Sequence, residues 1–61
     1  MVSPGQTWRN QSGGLFVVVE VDKKDVWYAR KSSPNGFRYD MNLSEFRERY
    51  EYVPAEAATT E

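Results

Sequence analysis

Cysteine and histidine are both missing from these 61 residues. Without cysteine, no disulfide and no thiolate metal site can staple a small fold. Without histidine, the chain lacks the commonest general base, the commonest zinc ligand and the physiological pH switch. The missing cysteine also fits a reducing compartment. Long apolar runs are missing too, and the longest falls far short of the roughly 18 to 20 residues of a membrane span. The opening MVSPGQTW has no apolar h-region, so no secretory signal is expected in it. The expectation is a soluble, cytoplasmic protein with no membrane partner and no cofactor.

Excess charge of one sign is scarce as well. Eight bases stand against nine acids, a net charge of −1. Setting aside Glu56 and Glu61 leaves seven acids against the eight bases, or +1. Neither balance is the footprint of a strong nucleic-acid binder, although a local basic stripe stays open. What the chain does carry is aromatic residues, at 15%. They bury much area per residue, which a core this small needs. The length admits one domain only.

Turn chemistry and β-rich runs alternate along the chain. Ser3–Gln6 is a Pro-Gly turn, Thr7–Asn10 a short strand, and Gln11–Gly14 a glycine turn. Leu15–Asp22 is the central strand, rich in β-branched residues. Asp22–Asp25 is a tight charged turn, and Val26–Lys31 is the return strand. Ser32–Gly36 is a second turn whose Asn-Gly favours positive φ. Phe37–Met41 alternates as a further strand. Leu43, Phe46 and Tyr50 then fall at helical spacing, with Asn42 and Glu45 in the form of a capping box. Arg47 and Arg49 suit the end of that one- or two-turn helix. Tyr50–Val53 forms a last short strand. Residues 54–61 lack pattern and are expected to be a disordered tail. Residues 1–53 are then one mainly β domain. Four or five short antiparallel strands and one helical turn predict a small, partly open barrel of SH3-like kind.

The run LFVVVEV is apolar on both faces, where a half-exposed strand should alternate. Placing Lys23-Lys24 at the hairpin tip sets Val21 opposite Val26, Val19 opposite Tyr28 and Val17 opposite Arg30. That puts Leu15, Val17, Val19, Val21, Val26 and Tyr28 on the core side. Trp8, Phe37, Tyr39, Met41, Leu43 and Phe46 are expected to join them. The other face pairs Glu20 with Trp27, Val18 with Ala29 and Phe16 with Lys31. Aromatics flanked by charge are enriched at interface centres, so this face is a candidate ligand surface. The alternative is that the coiled sheet, the N-terminal segment or the tail covers it.

No catalytic constellation emerges. Asp22 and Asp25 flank a lysine turn and read as turn formers. Ser32 and Ser33 have no histidine to activate them. Gly13-Gly14 leads into a strand and not into a phosphate-binding helix. Arg9, Arg30, Lys31 and Arg38, interleaved with aromatics, offer stacking plus phosphate contact to single-stranded nucleic acid.

The stretches PGQTWRN, GGLFVVVEV, VWYAR and LSEFRERYEYV together resemble a group of small SH3-like β-barrel proteins of actinobacteria and their phages, itself uncharacterised. The shared pattern is a W-R start, G-x-x-V-x-V, V-x-Y-x-R, and a closing L-S-x-F-x-x-R-[YF]-x-x-V. Here it falls on Trp8, Arg9, Val17, Val19, Val26, Tyr28, Arg30, Leu43, Ser44, Phe46, Arg49, Tyr50 and Val53. The resemblance covers nearly all of residues 4–53. It implies an SH3-like domain of bacterial or phage origin and assigns no activity. The expectation is a non-catalytic domain that binds a protein through Phe16, Trp27, Lys31 and Arg38. The alternatives are a nucleic acid held by Arg9, Arg30, Lys31 and Arg38, and a homodimer formed through an uncovered edge or face.

Overall fold

Five antiparallel strands in the order β4-β3-β2-β1-β5 build one bent sheet. The strands are β1 (Thr7–Arg9), β2 (Leu15–Val21), β3 (Asp25–Arg30), β4 (Arg38–Asn42) and β5 (Glu51–Val53). A helix, α1 (Leu43–Arg49), links β4 to β5. The structure, a computed structural model, describes residues 1–54. The tail expected over 54–61 lies outside the described residues except for Pro54. The first four strands form a meander, and α1 then carries the chain across to the opposite edge, where β5 pairs with β1. This is the expected mainly β architecture, a small, partly open barrel of antiparallel strands with a single short helix.

Local chemistry fixes the corners. Asn10 organises the first turn: its Oδ1 accepts from the Gly14 N–H at 2.7 Å and the Ser12 N–H at 3.1 Å. Gly13 there sits at φ +92°, a conformation that disfavours any side chain. The hairpin tip is where the charge pattern put it, with the Asp22 N–H donating to the Asp25 carbonyl at 2.8 Å. The Asn-Gly turn differs from expectation. Neither Asn35 nor Gly36 has positive φ. Instead the Gly36 N–H donates to the Ser33 carbonyl at 2.9 Å. With Pro34 second and Gly36 last, this is the residue order of a type I turn.

Asn42 caps α1, with extended backbone and a side chain that accepts from the Ser44 and Glu45 N–H groups. Glu45 turns its carboxylate to Arg49, 3.0 Å away and one helical turn on. The Leu43 N–H donates to the Lys24 carbonyl at 2.7 Å, which ties the helix start to the hairpin tip. Phe46 drops from α1 into the barrel and is fully buried.

The core is an aromatic cluster. Phe46 packs on Trp8, Tyr28 and Tyr50, with ring centroids 4.6–5.1 Å apart. Phe16 meets Tyr28, Tyr39 and Tyr50 edge-on. Val2, Val18 and Val26 fill the remaining space. The Trp8 indole N–H donates to Gln6 Oε1 at 3.1 Å, so its polar end is satisfied beside the core.

The central strand departs from expectation. Val21 opposes Val26 and Glu20 opposes Trp27 as expected, but Val18 then opposes Tyr28, Val17 opposes Ala29, and Phe16 opposes Arg30. The register shifts between Val18 and Glu20, which leaves Val19 as the extra residue of a β-bulge. Side chains alternate along a strand, so one inserted residue exchanges the faces of everything before it. Phe16 and Val18 therefore enter the core. Leu15, Val17 and Val19 leave it, and Leu15 is 41% exposed. Phe37, expected inside, is 75% exposed, with its ring perpendicular to that of Tyr39.

Candidate functional site

The face of the sheet turned away from the core is the candidate site. Backbone pairing lays its residues out in rows. Lys31, Leu15, Arg9 and Glu51 form one end. Arg38, Ala29, Val17, Thr7 and Val53 form the next row. Asp40, Trp27 and Glu20 follow, with the bulged Val19 beside them. An apolar strip of Leu15, Val17 and Trp27 runs down the middle, with Ala29 fully buried among them.

Trp27 stands apart from the other aromatics. The chain has two tryptophans, four tyrosines and three phenylalanines. Every one except Trp27 has a ring partner in the core cluster or at its margin. The Trp27 indole is half-buried, between the strand positions of Glu20 and Asp40.

Charge on this face is balanced and polarised. Arg9 is bound by Glu51 at 2.9 Å. Lys31 reaches the Thr7 hydroxyl at 3.3 Å. Arg38 is exposed on the edge strand. These cations lie at one end, and Glu20 and Asp40 lie towards the hairpin tip. At the cationic end, Leu15, Phe16, Arg30, Lys31 and Ser32 line a shallow groove with a mainly apolar floor.

Of the residues expected to bind a protein, Trp27, Lys31 and Arg38 share the outer face. Phe16 does not. It is 7% exposed and belongs to the core, reaching the surface only at the groove floor. The bulge at Val19 is the reason. The basic set is also divided. Arg30 alternates to the side opposite Lys31, and Arg9 is already paired. Ala29 was expected on this face, but Leu15 and Val17 were not, and Val17 takes the place expected for Val18 opposite Ala29. The unbroken valine run gave no sign of which residue was inserted. Among the described residues, no three acidic side chains gather as a metal-binding group. No described helix is long and apolar enough to cross a membrane.

Comparison with known protein families, with curated proteins and with solved structures finds no match to this chain.

Proposed function

We propose that this is a non-catalytic protein-interaction domain that binds a partner protein through the outer face of its sheet. The observation that carries this reading is Trp27: the one aromatic without a ring partner, half-buried on the face of the sheet turned away from the core. Tryptophan at the centre of a charged rim is the composition of an interface hot spot. Lys31 and Arg38 at one end, with Glu20 and Asp40 at the other, suit a partner of opposite polarity and fix its orientation. The sequence resemblance supports an origin in a bacterium or its phage, with action in the bacterial or host cytoplasm.

Nucleic-acid binding is supported less well. Its four cations do not share a face, and the outer face holds as many acids as bases. Phosphate binding needs a stripe of unpaired positive charge.

The test is affinity capture from nuclease-treated bacterial lysate, with wild type and Trp27→Ala side by side. A discrete protein held by wild type and lost with Trp27→Ala is the expected result, with the variant still folded by circular dichroism. Capture that is unchanged by the substitution rejects this face as the site. Capture that vanishes with nuclease, and weakens steeply with salt, moves the function to nucleic acid.

A further inference from the structure

We infer that the chain forms a two-fold dimer by antiparallel pairing of β4 with β4 of a second copy, centred on Tyr39. The inference does not depend on the outer-face reading. It starts from the sheet's two edges. The β5 edge offers little, since only Tyr52 turns its backbone groups outward there. That strand has three residues, the next residue, Pro54, has no N–H, and the Tyr50 N–H before it is taken by the Phe46 carbonyl. The β4 edge is open. It runs five residues in unbroken register with β3 and contains no proline.

The ladder shows which β4 groups point outward. The Leu43 N–H bonds the Lys24 carbonyl, so that pair is a hydrogen-bonded one. Pairs alternate along an antiparallel ladder. Met41 with Val26 and Tyr39 with Tyr28 are then the bonded pairs, and their backbone groups face β3. The N–H and C=O groups of Arg38 and Asp40 face away. Among the described residues nothing bonds to them from that side.

A second β4 can meet those groups in a register that satisfies side chains as well as backbone. With the two-fold axis at Tyr39, Arg38 lies opposite Asp40 of the second copy, and Asp40 opposite its Arg38. Each of these pairs exchanges two backbone hydrogen bonds and forms a cross-strand ion pair. On the inner side the two Tyr39 rings become neighbours, and Phe37 lies opposite Met41 of the second copy. That accounts for Phe37, an aromatic ring 75% exposed at the end of an open edge. Moving the axis one residue to Asp40 would set the two Asp40 carboxylates against each other, and like charges directly opposite repel. The sequence of β4 thus offers a self-complementary register in which every charge meets its opposite, as suits an isologous interface. The contact is small, so the dimer is weak and concentration-dependent.

Sedimentation equilibrium across a concentration series tests this. Wild type should rise from 7.1 kDa towards twice that mass. Arg38→Asp places Asp against Asp40, and Asp40→Arg places Arg against Arg38, so each alone should weaken association about tenfold or more. An equimolar mixture of the two variants should recover it, because every pair is again Asp with Arg. In wild type, the Arg38 and Asp40 amides should gain hydrogen-exchange protection with concentration. The Tyr39 and Met41 amides should already be protected in the monomer. A wild-type chain that stays monomeric overturns the inference. So do variants that associate as tightly as wild type, a mixture no tighter than its components, and concentration-dependent protection that falls elsewhere.

Discussion

Tyr28 shows how tightly single residues are held. Its hydroxyl lies 3.2 Å from that of Tyr50, and its ring is sandwiched among Phe16, Tyr39, Phe46 and Tyr50. Burial, and then the hydrogen bond to Tyr50, push its ionisation well above the ordinary phenol range. The folded state therefore resists losing this proton, while the unfolded chain loses it near pH 10. The stability so held is fully present below about pH 10 and is lost as pH rises beyond it. A phenolate absorbance titration followed together with circular dichroism should show one tyrosine ionising last, in step with unfolding. Ionisation of all four tyrosines before any loss of structure would contradict that burial. Tyr28→Phe should remove this component of the alkaline instability.

Trp27 and Phe16 are opposites at the same scale. Both are large apolar residues on central strands. Phe16 has three ring partners inside the barrel, and Trp27 has none. No feature of either residue taken alone assigns its side. Only the register does.

The elements differ in how far the sequence specified them. The helix was legible because each part of its signal is local. Asn42 supplies the cap, Phe46 and Tyr50 fall at helical spacing, and Arg47 and Arg49 lie in the last turn. The cap should be worth about 1 kcal/mol, so Asn42→Ala should lower stability by that amount. For a domain of this size that is a fall in Tm of roughly 4–8 °C. Thermal unfolding of the variant checks it, and an unchanged Tm would mean that Leu43 and Phe46 hold the helix without the cap. The hairpin tip was legible for a similar reason, since Asp22 and Asp25 bracket two lysines.

The bulge was not legible. Counting outward from the tip gives correct pairs only while the ladder is unbroken. Valine fits either face of a strand, so Val17, Val18 and Val19 carry no mark of which one is extra. The contribution of Val2 was hidden as well. A lone valine before a Pro-Gly turn has no periodicity to declare it buried, yet the Gly5 N–H donates to the Val18 carbonyl and folds that segment onto the core.

At the scale of the whole molecule, the fold divides the chain's large apolar residues between two jobs. One set closes a barrel too small to be stapled any other way. The other leaves Trp27 on a polarised outer face, beside an edge strand whose register suits a second copy. Pairing at β4 would extend the outer face across both copies without covering Trp27.

That division is tested most directly by urea unfolding of Phe16→Ala and Trp27→Ala beside wild type. Phe16→Ala should cost about 3–5 kcal/mol, enough to unfold much of a domain this small. Trp27→Ala should cost about 1 kcal/mol or less and leave a cooperative transition. The opposite order, with Trp27→Ala the more damaging, would put Trp27 in the core and remove the outer face as a binding surface.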